Sequence, residues 1–324
     1  MTPIDLATLT RDKPIKVGAQ PNSIAATPNG STVYVVNGAS DDVTPINAAT
    51  KEAGTPIEVG SRPDAIAVTP NGSTAYVADA GSDSVTPIAL ATDSPGKPIP
   101  VGSRPSAIAI TPNGKTAFVL DWGSRSVTPI DTATQAARAA IRVGSYPYAL
   151  AITPDGSTVY VANYGSDSVT PIDTATGKAG PAVRVGVAPD ALAVTPNGRT
   201  VYVVNGDSDT VTPIVTASDR ALAPIKVGYS PSAVAVSASG ATAYVTNTIS
   251  GTVTPIATST GLTDKVIDVG LYNYPLAVAI APVRHLAVVL DNYAGLVTPI
   301  DMLTGRPLSP LKAGSYPVGV AFGR

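Results

Sequence analysis

Fourteen side chains of this sequence are of the kinds that grip ligands and depart from the otherwise regular pattern of the chain: Arg62, Asp64, Arg104, Trp122, Arg125, Tyr146, Tyr148, Tyr164, Asp190, Tyr229, Tyr272, Tyr274, Tyr293 and Tyr316. Tyrosine and tryptophan offer a large rigid contact with a polar tip. Arginine offers a planar fork for anions. Aspartate accepts hydrogen bonds or works as an acid or base. The other five of the 13 tyrosines (Tyr34, Tyr76, Tyr160, Tyr202 and Tyr244) recur at one repeated position and read as core.

Catalytic constellations are thin. The one histidine, His285, falls in a turn away from the aromatic set, and Glu52 and Glu58 read as solvated edge charges. There is no cysteine, hence no thiolate and no disulfide, and a single histidine argues against zinc. No metal site and no cofactor is expected. The chain has no phosphate loop, dinucleotide fingerprint or nucleophile elbow. Acid–base chemistry would fall to Tyr148, Tyr274, Asp64, Asp190 or Asp291, and a carboxylate pair would need Asp64, Asp121, Asp190 or Asp291 brought close. Ser-Asp pairs at Ser40, Ser82, Ser166 and Ser208 could hold a hard cation weakly, but being repeated they read first as turn formers.

The elements that must position these groups come from a repeat. Thr-Pro-Ile recurs at Thr2, Thr44, Thr86, Thr128, Thr170, Thr212, Thr254 and Thr298, 42 residues apart except for a last step of 44. Each unit holds four short β-branched runs between turn residues, which marks strands. We name them A (PxAIAx), B (TxYVxN), C (VTPID) and D (PIxVG). Thr-Pro-Asn-Gly joins A to B as a tight turn, with proline presetting φ and glycine supplying a positive one. The proline inside strand C would damage a central ladder, so C is expected near the outer part of its sheet or beside an irregularity. Four antiparallel strands every 42 residues predict the blades of a β-propeller, a single all-β domain spanning 1–324.

The units resemble the YVTN family of β-propeller repeats. Tyr244-Val245-Thr246-Asn247 spells the family tetrapeptide, and variants stand at Tyr34, Tyr76, Phe118, Tyr160 and Tyr202. The resemblance covers nearly the whole chain. The last full unit departs from it, with Ala281-Pro282-Val283-Arg284 in place of the turn and Leu286-Ala-Val-Val-Leu-Asp291 in place of strand B. The resemblance implies a propeller that is often exported. It also implies kinship with lyases that act at the loop face and rely on a histidine, which is missing there.

Complete ABCD units begin at Pro21, Pro63, Pro105, Pro147, Pro189, Pro231 and Pro275. C and D runs precede them, and an A-like run, Pro317–Phe322, follows. The simplest accounting is eight blades, the eighth composite from both termini and lacking a strand B; seven blades with frayed ends is the alternative. In such a ring the D–A and B–C loops share one face, and all fourteen candidates lie in or beside them. The expected function is recognition of a small molecule, glycan or protein partner at that face, around the central channel. The alternatives are a cofactor-independent lyase, cyclase or hydrolase acting on an apolar metabolite there, or a structural, cell-surface assembly module.

Composition narrows the partners. With 21 Lys+Arg against 23 Asp+Glu there is no basic stripe for nucleic acid or a membrane surface. No apolar run approaches the ~20 residues that span a bilayer. No signal peptide is visible before the repeat starts at Thr2, and exported and cytoplasmic placements both remain open.

Overall fold

The computed structural model describes residues 1–271, 273–282 and 284–323. Seven antiparallel sheets follow one another along the chain. The first is built from Pro21–Ala26, Thr32–Asn37, Asp42–Asn47 and Ile57–Glu58, which are strands A to D of blade one. Strand A of each blade lies alongside strand A of the next, from blade one to blade seven, so A is the inner strand around the axis. Of the two blade counts, the structure realises seven complete blades. In the eighth unit only a hairpin, Ile4–Asp5 with Thr10–Arg11, forms a ladder among the described residues. Pro317–Phe322 forms none.

Strand B holds the core. Its side chains alternate between the two sheet faces, and both faces are covered by neighbouring blades. Tyr34, Val36 and Val43 of blade one meet Ala75, Val77 and Ile88 of blade two, and the same arrangement recurs around the ring. The tyrosine ring is buried while its hydroxyl reaches the next blade: Tyr34 donates to Asp93 at 2.6 Å and Tyr160 to Asp219 at 2.6 Å. These five tyrosines are core, as their periodicity indicated.

The proline of strand C shapes the sheet edge. Strand C pairs with B over six residues without a register shift, proline opposite tyrosine. On its other side strand D breaks in two around the proline, as in Ser94–Pro95 and Ile99–Pro100. The proline has no N–H to give, and its carbonyl accepts from a D-side amide, Gly96 N–H at 2.7 Å. The irregularity therefore sits in the outer strand.

The residue ending strand B is Asn37, Asp79, Asp121, Asn163, Asn205, Asn247 or Asp291, and none is exposed. Each bonds the threonine of its own strand C: Asn37 donates to Thr44 at 2.9 Å, and Thr86 donates to Asp79 at 2.6 Å. Burial pushes the carboxyls of Asp79, Asp121 and Asp291 up to about 6.

Candidate functional site

The D–A and B–C loops are stitched to each other and so share one face. The amides of Ala80, Trp122, Tyr164 and Gly206 donate to the carbonyls of Arg62, Arg104, Tyr146 and Ala188 at 2.9–3.1 Å. At the loop end the chain takes a left-handed turn in every unit. Gln20, Arg62, Arg104, Tyr146, Ala188, Ser230, Tyr274 and Tyr316 have φ between 48° and 56°. Non-glycine residues visit this region at a cost, and a surrounding structure must hold them there. One step further, each strand A shifts register between its proline and the second residue after it. The bulged residues are Asn22, Asp64, Ser106, Tyr148 and Asp190 in blades one to five. A bulge re-aims one side chain, so each of these five blades brings a left-handed residue and a bulge residue to the channel mouth.

Aspartates of the B–C loops hold the left-handed turns. Asp41, Asp83, Asp167 and Asp209 accept the amides of Arg62, Arg104, Ala188 and Ser230, each in the following blade, at 2.7–3.0 Å. The Ser-Asp repeats are therefore latches between blades. Where the latch position holds another residue, Arg125, Gly251 or Gly295, the next left-handed residue is a tyrosine: Tyr146, Tyr274 or Tyr316. Ring contacts take the place of the hydrogen bond. Arg125 stands over Tyr146 at 5.7 Å, and Tyr146 lies 5.6 Å from Trp122. Tyr293 lies 5.6 Å from Tyr274 and 6.4 Å from Tyr316.

A cavity of about 480 Å³ opens on this face, lined by Gln20, Asn22, Arg62, Asp64, Arg104, Ser106, Trp122 and Tyr148 among others. Arg104 lies 4.4 Å above the Trp122 ring. The only ion pairs among the described residues, Lys51–Asp12 and Arg138–Asp131, are elsewhere. Arg62, Arg104 and Arg125 thus have no carboxylate within 4 Å among the described residues.

A sequence model of the family described as "Lactonase, 7-bladed beta-propeller" matches residues 58–225, just over half of the chain. The chain belongs to that lactonase family. No curated protein matches it. Among solved structures it is similar to hydrazine synthase of Kuenenia stuttgartiensis, at 25% identity over 90% of this chain and 97% of that one, with a TM-score of 0.70. It is also similar to a functionally unknown protein of Desulfotomaculum acetoxidans, at 17% identity over 88% and 96% of the two chains, TM-score 0.71, a likeness of fold alone.

Within this lactonase-family ring the fourteen candidates fall into separate groups. Arg62, Asp64, Arg104, Trp122 and Tyr148 line the cavity. Arg125, Tyr146 and Tyr164 extend it, Tyr164 lying 6.1 Å from Tyr148. Asp190 and Asp64 both lie close enough to Tyr148 for their charge to help burial raise its hydroxyl. Tyr274, Tyr293 and Tyr316 form a second cluster away from the cavity lining. Tyr229 is exposed and stacks on no ring among the described residues; Tyr272 lies outside the described residues.

Burial raises the Asp64 carboxyl, against the pull of Arg62 and Arg104. It raises Asp190 to about 7, with Asp207 adding to the effect, and leaves the Asp190 Oδ1 without a hydrogen-bond partner among the described residues. Asp121 and Asp291 turn inward to strand C and are not candidates for acid–base work at this face. Sequence reasoning missed Gln20, Asn22 and Ser106. Their register with Arg62, Asp64 and Tyr148 was the available signal, but as uncharged, non-aromatic residues they did not stand out. Asn22 Nδ2 donates to the Pro63 carbonyl at 3.0 Å and to Asp64 at 3.2 Å, which ties three lining residues together.

Proposed function

We propose that the cavity at the channel mouth binds a small molecule that carries an anionic group on an apolar or planar ring. One observation carries this reading: Arg104 and Arg62, without carboxylate partners, converge with the Trp122 face and Tyr148 on one cavity. A guanidinium fork takes an anion at two points, and an indole face takes a ring or an apolar sugar face. Asp64 and Asn22 supply acceptor and donor groups that fix orientation. The YVTN likeness of strand B agrees with a ring that presents variable loops on a constant frame. The site suits a compact ligand better than a protein partner, because its groups sit inside a concavity rather than on a flat patch.

Screening carboxylated ring compounds by thermal shift and then by calorimetry tests this. Trp122→Ala and Arg104→Ala are each expected to weaken the best ligand at least tenfold while moving the ligand-free Tm by less than about 2 °C. Unchanged affinity in both variants would reject the site.

A hydrolytic reading is favoured by the family and by one feature of the site, a carboxyl near 7 beside Tyr148. Asp190 would take a proton from water as the water attacks the carbonyl of a cyclic ester. Arg104 would stabilise the oxyanion, the ring C–O bond would break, and the departing alkoxide would take the proton. General bases work best when their pKa lies near the working pH. Proton release from a panel of lactones should then rise with pH to a plateau above about 7 and vanish in Asp190→Asn. No release from any of them leaves the binding function alone.

A further inference from the structure

Arg104 and Trp122 stand at the end of a stack that continues outside the cavity. Trp122 opens the B–C loop of blade three, where blade two has Ala80. The two amides do the same thing, donating to the carbonyls of Arg104 and Arg62. The side chains do not. Arg104 lies 4.4 Å above the Trp122 ring, whereas Arg62 stacks on no ring among the described residues. An arginine side chain has several free rotations, and a guanidinium laid on an indole keeps fewer of them. Of the two cavity arginines, Arg104 is therefore the one whose fork is placed before a ligand arrives.

Trp122 is held in turn. The Tyr146 ring lies 5.6 Å from it, tilted by 41°, within the range of favourable ring pairs. Arg125 stands over Tyr146 at 5.7 Å. Tyr146 also lies on the backbone of Gly165, in the B–C loop of blade four. A Cβ added to Gly165 would overlap Cδ2 of the Tyr146 ring and stand 3.2 Å from two further ring carbons. At the aligned pair in blade two, Gly81 and Arg62, the nearest atom of Arg62 is its Cβ, at 3.2 Å. The close seat is thus particular to the tyrosine ring. The stack runs Gly165, Tyr146, Trp122, Arg104, from the edge of blade four into the cavity. Gly165 and Tyr146 do not line that cavity.

We propose that Tyr146, seated on the Gly165 backbone, is the positioning residue of the anion site. It holds Trp122, and through Trp122 it holds the Arg104 fork in the cavity. This role rests on the cavity being an anion site, but the stack itself can be measured without a ligand.

Trp122 is the only tryptophan of the chain, so its fluorescence reports the stack. The probes are iodide and caesium, which quench on collision. At low and equal ionic strength a guanidinium beside the indole gathers iodide and repels caesium. The ratio of the two quenching constants therefore reads the nearness of Arg104. Arg104→Ala is expected to lower that ratio at least twofold and sets the scale. Tyr146→Ala and Gly165→Ala, which remove no cavity residue, are expected to lower it by about as much. Blade five carries Ala188 at the position of Tyr146 with the same left-handed turn, so Tyr146→Ala is compatible with the fold. Tyr146→Phe, which keeps the ring, is expected to keep the original ratio. Benzoate affinity, measured by calorimetry, is expected to fall at least threefold in Tyr146→Ala and Gly165→Ala and to be kept in Tyr146→Phe. A steady ratio in either of those two variants, or a lowered ratio with unchanged benzoate affinity, overturns the positioning role alone. Benzoate that does not bind the unaltered protein, with the ratio falling as expected, overturns the role by removing the anion site and leaves the stack.

Discussion

At the residue scale, the site depends on what holds a left-handed backbone. Asp83 accepts the Arg104 amide and so fixes the origin of the side chain that lies on Trp122. Asp167 does the same for Ala188, whose buried methyl group offers a ligand no polar contact. Asp83→Ala is expected to weaken ligand severalfold, and Asp167→Ala to leave affinity unchanged. Asp83→Ala should cost only about 0.5–1 kcal/mol of stability, since its latch is exposed and a typical hydrogen bond is worth about that much, while Asp167→Ala should cost about 1–3 kcal/mol because it leaves the amide of buried Ala188 unpaired. Calorimetric titration of the two variants beside each other checks the difference. Equal losses would show that the latch does not place Arg104. The substitution of Arg125 for a latching aspartate belongs to the same logic: the amide of Tyr146 loses an acceptor while its ring gains a cation. That exchange is visible in sequence only once the latch is known, because Arg125 and Tyr146 lie 21 residues apart.

At the scale of the element, strand B is the unit that ties blades together. Tyr160 buries its ring in its own interface and hands its hydroxyl to Asp219; burial, helped by the carboxylate next to it, pushes that hydroxyl upward. Tyr160→Phe is expected to lower stability by about 1–2 kcal/mol, because the bond is to a charged group. Tyr202→Phe should cost less, since its hydroxyl only reaches the Thr258 carbonyl at 3.3 Å. Chemical denaturation of both variants measures the difference, and equal costs would mean the cross-blade bond to the carboxylate adds nothing. The apolar alternation and turn residues of these strands were legible in the sequence. The response to the strand C proline was legible only as a choice between an outer position and an irregularity. Strand D breaks because D alone is free to leave the ladder, whereas B is clamped between two blades.

For the molecule as a whole, the carboxyls divide into two opposed sets. Asp79, Asp121 and Asp291 sit near 6, above their unfolded value near 4. The folded chain keeps these protons over a range in which the unfolded chain has lost them, so stability falls as pH rises from about 4 to 6 and then levels. Asp190 extends the decline toward 7. Asp5, Asp131, Asp155, Asp173 and Asp301 are held low by hydrogen bonds, and their contribution disappears as pH drops below about 4. Tm should therefore peak in mild acid, near pH 4–5. Changing Asp79, Asp121 and Asp291 together to asparagine, the residue at four of the seven positions, should raise Tm at pH 7 and flatten the fall. A scan of Tm against pH for both proteins tests this, and an unchanged slope would show that these carboxyls carry no excess protons.

The 42-residue echo determined the strands, their antiparallel order and the shared face of the loops, because periodicity, β-branching and turn chemistry act over a few residues. It could not determine which loops become neighbours. The cavity joins residues from blades one to four, while Tyr274, Tyr293 and Tyr316 assemble near the eighth position, so a set that looks uniform along the chain is divided in space. Nor could it determine the blade count, since the same units satisfy seven complete blades whether or not an eighth strand is present. That outcome rests on how the terminal segments pack between the first and last sheets. It is a contact between residues more than 270 apart, such as Arg284 donating to the Leu6 carbonyl, and only closure of the ring creates it.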